Sequence, residues 1–283
     1  MPNTNLQAKT LETSLKYFEE LKSKRDKWGK IWDELAKYVC PQTKSNKEIF
    51  DSTSIWSREQ LASGLQSLLV NPAMNWFNLT HQSNSNNNEE FADDESELEE
   101  SRLWGQQVEQ TILQIFNNPA SSFYNQIHEF FLTLTAYGTA IFYLEEEPSL
   151  PSGVLFRNIN IRQCYFAEDR TGKVSSMYRL FTMSVRSAAG KWPEFKPLQE
   201  KLEKSADEEV EILHIVEPSN DKKQNNLKQA SLKQTNQKQA NLSQYIYLDT
   251  KEIIAESSYS YFPFMVCRWI CDTMLLGRVA STL

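Results

Sequence analysis

The sequence predicts an α+β fold: a long N-terminal amphipathic helix and helical hairpin-like elements packed on a mixed, mainly antiparallel sheet. Three observations predict it. Apolar residues recur at helical spacing in four segments between Thr10 and Ala136, and after the apolar stretch Thr139 to Leu144 the period drops to two. A hydrophobic content of 40% over 283 residues is enough to bury a substantial core.

Thr10 to Tyr38 carries Phe18, Leu21, Trp28, Trp32, Leu35 and Val39 at spacings of three and four or their sum, with Lys and Glu on the other faces. Arg25 breaks this stripe, which argues against a sustained coiled coil and for packing on the rest of the molecule. Pro41 ends the helix. Asp51-Ser52-Thr53-Ser54 offers side-chain oxygens to cap a second helix, Ile55 to Val70, which stops at Asn71-Pro72 because proline disfavours helical backbone in the residue before it. Trp76 to Thr80 reads as a short strand. Residues 81–95 are polar and acidic and read as a flexible loop. A third helix, Glu97 to Phe116, places Trp104, Val108, Ile112 and Ile115 on one side. A fourth, Ser122 to Ala136, carries Phe123, Ile127, Phe130, Phe131 and Leu134, and Gly138 stands where a left-handed cap is wanted.

Thr139 to Leu144 then reads as a buried strand, expected to receive Phe130 and Leu134. Val154 to Phe156 and Cys164 to Ala167 are short strands, and Asp169 to Gly172 turns the chain into Val174 to Phe181. Short helices are expected at Ser184 to Lys191 and Leu198 to Ser205. In Glu209 to Val216, Val210, Ile212 and His214 alternate against Glu209, Glu211 and Leu213. A hairpin follows at Tyr245 to Leu248 and Glu252 to Ala255. Residues 218–243 hold an Asn/Gln/Lys-rich tract, Asn220 to Gln239, which buries almost nothing and reads as a second flexible loop.

Familiar catalytic signatures are missing. The Gly-Lys pairs at 29–30, 172–173 and 190–191 lack the glycine five residues earlier and the Ser or Thr that follows in a phosphate-binding loop. His128-Glu129 does not open a zinc-protease motif, since Leu132 stands where the second histidine belongs. His81, His128 and His214 are widely separated, and Glu145-Glu146-Glu147 has no evident acid–base partner. No metal is expected: Asp93-Asp94-Glu95 lacks the ligand alternation of a calcium loop, and Cys267 and Cys271 read as buried packing with no further thiol or imidazole in sequence reach. Cys40 and Cys164 complete an irregular set that suggests no disulfide framework. No cofactor and no catalytic residue is assigned. Net charge is −7 and pI about 5.2, and the basic clusters Lys22-Ser23-Lys24-Arg25 and Asp221-Lys222-Lys223 are small, which excludes a general polyanion binder. No apolar run reaches the roughly 20 residues that span a bilayer.

Six segments in order carry a family resemblance: the helix Arg25-Asp26-Lys27-Trp28 to Tyr38-Val39-Cys40-Pro41-Gln42; Asp51 to Asn71-Pro72; Trp76-Phe77-Asn78-Leu79; Phe123-Tyr124 through Tyr137-Gly138-Thr139-Ala140; Cys164 to Phe181; and Phe262-Pro263-Phe264 with Arg268-Trp269. Together they resemble the head-to-tail connector, or portal, proteins of short-tailed bacteriophages. The resemblance implies a wing-like α+β subunit of a ring, usually of twelve copies, in the virion, with the bacterial cytoplasm as the site of expression. It implies capsid, terminase and tail proteins as partners and DNA contact only through the assembled channel. It implies no ATPase. Where the family carries a Tyr-Gly-Arg-like segment, this chain reads Leu275-Leu276-Gly277-Arg278-Val279-Ala280 and ends at Leu283. On this resemblance residues 1–283 are the N-terminal wing portion, truncated before stem and clip, with an apolar patch exposed where stem helices dock. The alternative from another class is a non-catalytic scaffold or adaptor built around the N-terminal helix.

Overall fold

The N-terminal stripe turns inward along a single helix, α1 (Thr4–Val39). The computed structural model describes residues 4–40, 51–79, 95–218 and 241–269, and the side chains of all of these except 4–10 and 95–98. The second helix, α2 (Thr53–Leu69), is capped by Asp51, whose Oδ1 accepts from Thr53 N at 2.8 Å, while Ser52 makes no side-chain cap bond. Next come α3 (Glu95–Asn117) and α4 (Phe123–Tyr137). Gly138 ends α4 in the left-handed region, φ 70°, and its N–H donates to Leu134 O at 2.8 Å. The chain therefore passes from helix to strand with no intervening loop.

The strands divide into two sheets, and every pairing among the described residues is antiparallel. Strands β1 (Thr139–Glu146), β2 (Val154–Ile159) and β8 (Phe264–Arg268) form the smaller sheet in the order β2-β1-β8. The larger is a five-stranded meander of β3 (Cys164–Glu168), β4 (Val174–Ser184), β5 (Glu209–Pro218), β6 (Asn241–Tyr247) and β7 (Glu252–Tyr259). Two short helices, α5 (Val185–Lys191) and α6 (Lys196–Lys204), link β4 to β5. Of the expected loop 81–95, only Glu95 is described, and it opens α3. Of 218–243, residues 219–240 lie outside the described residues; Pro218 ends β5, pairs with Asn241, and 241–243 already belong to β6.

Packing follows the two faces of each sheet. One face of the smaller sheet, with Ile141, Tyr143, Ile159 and Phe264, meets Cys164, Phe166, Met177 and Val216 of the meander. Its other face, with Ala140, Phe142 and Phe156, is covered by Phe130, Phe131 and Leu134 of α4 and by Ala62 of α2. Phe130 stands 5.6 Å from the Phe142 ring, so α4 docks its aromatic face on the strand it feeds. The outer face of the meander, with Tyr165, Tyr178, Leu213, Ile215 and Ile246, is covered by Phe18 and Leu21 of α1. Helices α5 and α6 close the remainder of its inner face against Val210, Ile212 and Tyr247.

Four expectations are corrected by these contacts. No strand forms at 76–79: the Trp76 ring is taken by Phe116 and Phe123, at 5.5 and 6.2 Å, and lies in an aromatic cluster at the helix ends. On α3, Val108, Ile112 and Ile115 of the expected face are half-buried, but Trp104 is not: Gly105 beside it is the buried residue, lying against Leu79 O, where an added Cβ would be 3.4 Å away. Trp104 is 66% exposed. The alternation in β5 ends at Ile212, since α1 covers one face and the smaller sheet the other, and Ile212 to Val216 are all buried. Cys267 is exposed rather than buried: it pairs with the buried Ala140 of β1 but lies on β8, at the edge of the smaller sheet. Cys271 lies outside the described residues.

Candidate assembly surface

The polar groups inside the molecule hold its parts together. Phe18 and Leu21 lie on the outer face of the meander, whereas Trp32 lies between the sheets, so α1 crosses the edge at β3. Arg25 stands at the crossing. Its guanidinium donates to the carbonyls of Ile161, Arg162 and Cys164 at 3.4, 2.8 and 2.7 Å and stacks 3.8 Å above the Tyr165 ring. In return Arg162 donates to Trp32 O at 3.0 Å and pairs with Asp33 at 2.8 Å. Burial lowers the Arg25 pKa from its ordinary value, and the carbonyl dipoles compensate the charge.

Arg58 does the same for the helices, giving Nε to Leu132 O at 3.0 Å and a second N–H to Val39 O at 3.1 Å. Arg268 of β8 pairs with Glu168 of β3 and so ties the two sheets. The break in the N-terminal stripe is thus the residue that positions α1. Its spacing from Leu21 and Trp28 was the available signal.

The other residues singled out in the sequence are not brought together. His81 and the cluster 221–223 lie outside the described residues. His128 hydrogen-bonds Gln66 through Nδ1 at 2.7 Å. His214 is buried between the sheets, bonded to Ser243 at 2.9 Å and stacked 4.1 Å from Tyr245. Burial first, then the charges of Arg179 and Lys191, push its pKa down to about 3. Glu145 pairs with Arg157 and Lys191, Glu146 accepts from Tyr261, and Glu147 accepts from Ser149. Burial pushes the Cys164 thiol up to about 12, away from nucleophilic chemistry. Among the described residues no three His, Cys, Asp or Glu side chains gather as a metal site, and no helix is long and apolar enough to cross a membrane.

Several large apolar side chains remain outside. On α2 and the turn after it, Trp56, Leu61, Leu68, Leu69 and Met74 are exposed; on α3, Leu103 and Trp104 are exposed; on β8 and just beyond, Met265 and Trp269 are exposed. Helix α2 nonetheless buries Ala62 completely, so it is docked with part of its apolar surface uncovered. Exposed aromatic and leucine side chains of this kind are candidates for contact with a partner.

The body is thus braced internally by arginines and leaves apolar side chains exposed on its helices. The model of the family described as bacteriophage head to tail connecting protein matches residues 11–273, and the chain belongs to that family. It is 25% identical over 222 residues to the probable portal protein of Bordetella phage BPP-1, covering 72% of this chain and 37% of that protein. It is 23% identical over 277 residues to the portal protein of Salmonella phage epsilon15, covering 91% of this chain and 46% of that one. The chain thus spans less than half the length of these relatives.

Proposed function

We propose that this chain is a structural subunit of a phage portal, the ring at the head-to-tail junction through which DNA enters and leaves. The observation that carries the reading is the family match over residues 11–273, which runs through every helix and strand of the fold from α1 to β8. The exposed helical surface supports it, since a ring subunit must present apolar area that its neighbours cover. The interior arginines support a non-catalytic role, because each is committed to backbone carbonyls or a carboxylate within the fold. Capsid, terminase and tail proteins are the further partners the reading implies. A charge of −7 leaves DNA to be handled by an assembled channel rather than by a basic stripe on the single subunit.

The test is negative-stain microscopy of the chain alone and of the chain joined to the C-terminal remainder of the epsilon15 portal protein. Ring-shaped particles from the joined chain are expected. A well-folded joined chain that stays monomeric would count against the reading.

A further inference from the structure

A sheet ends in strands whose outer backbone groups have no partner, and proteins guard such edges with charges, prolines or covering elements. Among the described residues the two sheets have four edges, and three of them are guarded. At β2, Gln126 of α4 accepts from Asn158 N at 2.8 Å. At β3, Arg25 of α1 donates to Cys164 O at 2.7 Å. Strand β7 carries the exposed Glu252 and Glu256. The fourth edge, β8, holds no proline, and its single charge, on Arg268, is already paired with Glu168.

The pairing with β1 shows which groups of β8 point outward. Trp269 N donates to Gly138 O at 2.9 Å, and Pro263 O accepts from Leu144 N at 3.1 Å. Hydrogen-bonded pairs alternate along an antiparallel ladder, so Met265 and Cys267 also turn their backbone groups to β1. Phe264, Val266 and Arg268 turn theirs away, and among the described residues no hydrogen bond meets them there. The same three residues line a cleft of about 290 Å³, bounded on its other side by Gly172, Lys173 and Val174 at the β3–β4 turn. On the opposite face of the strand, Met265 and Trp269 are 49% and 50% exposed. The edge thus lacks partners for its backbone, filling for the cleft on one face and cover for two large side chains on the other. An added strand supplies all three. A helix cannot supply the first, because its own backbone groups are already bonded to one another.

The chain brings a suitable segment to this place. It leaves β8 at Trp269, and residues 270–283 follow. Those fourteen residues are more than a tight turn of about two residues and a return along the five residues of β8 require. Asp272 and Thr273 are turn formers. After them Met274 and Leu276 fall on one alternation and Leu275 and Val279 on the other, the pattern of a strand covered on both faces. A segment tethered so closely meets the edge at an effective concentration of about millimolar, ahead of strands from separate molecules.

We propose that residues 274–279 add antiparallel to β8 as the fourth strand of the smaller sheet, one set of apolar side chains filling the cleft beside Val174 and the other covering Met265 and Trp269.

Hydrogen exchange of the full chain, read residue by residue by mass spectrometry with electron-transfer fragmentation, tests this. The inward amides of Met265, Cys267 and Trp269 report whether β8 stays paired with β1. In the unaltered chain the outward amides of Phe264, Val266 and Arg268 exchange slowly, and equally so at every protein concentration. Replacing residues 274–279 by Gly and Ser speeds those three by about tenfold or more while the inward amides stay slow. Leu275→Pro, a smaller change that breaks a strand at one position, acts in the same direction and decides the matter where the longer replacement does not fold. Fast outward amides in the unaltered chain, or protection that survives both changes, would overturn the proposal. So would protection that appears only as the protein concentration rises, since the strand would then come from a second copy.

Discussion

Replacing Arg25 by Met separates a break in an apolar stripe from a structural clamp. Methionine keeps a long flexible stem of similar reach, so the change removes the guanidinium with little loss of packing. If Arg25 merely interrupts the stripe, Arg25→Met completes it and the protein gains stability. In the structure the guanidinium serves three carbonyls, two of them at 2.8 and 2.7 Å, and stacks on Tyr165. Hydrogen bonds to a charged group contribute about 1.5–3 kcal/mol each, and a cation–π contact about 0.5–1. Arg25 is only half-buried, so water satisfies part of what is lost. The expected net cost is about 2–4 kcal/mol. Lys24→Met, on the exposed side of the same turn, should stay within about 0.5 kcal/mol. Urea denaturation of the three proteins at pH 7, with equal m-values, gives the numbers. A cost for Arg25→Met below about 0.5 kcal/mol, or a gain, refutes the clamp.

Phe130→Ala should cost about 3–5 kcal/mol, the usual figure for a buried Phe, because the ring packs on Phe142 and Phe131; a loss below about 1 kcal/mol in denaturant melts would mean that α4 does not dock there. His214, held neutral with its pKa at about 3 against an ordinary 6.5, takes up a proton only on unfolding. Stability is therefore full above pH 6.5 and falls as the pH drops toward 3, by about 2 kcal/mol between pH 6.5 and 5 from this group alone. His214→Phe should flatten that part of the pH–stability curve, and parallel curves for the two proteins would contradict the assignment. Replacing Asn220 to Gln239 by a short Gly-Ser linker should leave the melting temperature nearly unchanged, because the paired ends Pro218 and Asn241 already fix the hairpin; collapse of the fold would show that the tract is structural. Purified chain should bind duplex DNA weakly in a salt titration and release no phosphate from ATP, and tight binding or turnover would contradict the reading of its charge and motifs.

Local signals in the sequence were enough for most elements, and the failures share a cause. The Asp51 cap, the Gly138 stop and the Asp169–Gly172 turn are decided by residues close in the chain, and each stands where expected. The β3–β4 hairpin and the α5–α6 pair follow from the same kind of signal. The division of the strands into two sheets was not legible, because β8 pairs with β1 across more than a hundred residues and no local pattern encodes that partner. Trp76 illustrates the limit well: its neighbours read as a strand, yet its ring is claimed by Phe116 and Phe123, which are distant in sequence.

Burial on one face or two was equally invisible for β5. Its second face is covered by α1, whose stripe gives no hint of which strands it will cross. The same ambiguity bears on the assembly surface. Trp104 sits in a helical pattern that reads as core, yet it is exposed, while Gly105 beside it is buried against Leu79. An apolar residue at helical spacing states that something will cover it, and leaves open whether the cover belongs to the same chain. Arg25 is the converse case. A charge at a core position, placed between Leu21 and Trp28 in the spacing of the stripe itself, signals that hydrogen-bond acceptors must lie opposite, without saying which. The 3-10 turn Ile161–Gln163 and Cys164, the first residue of β3, supply them as backbone carbonyls.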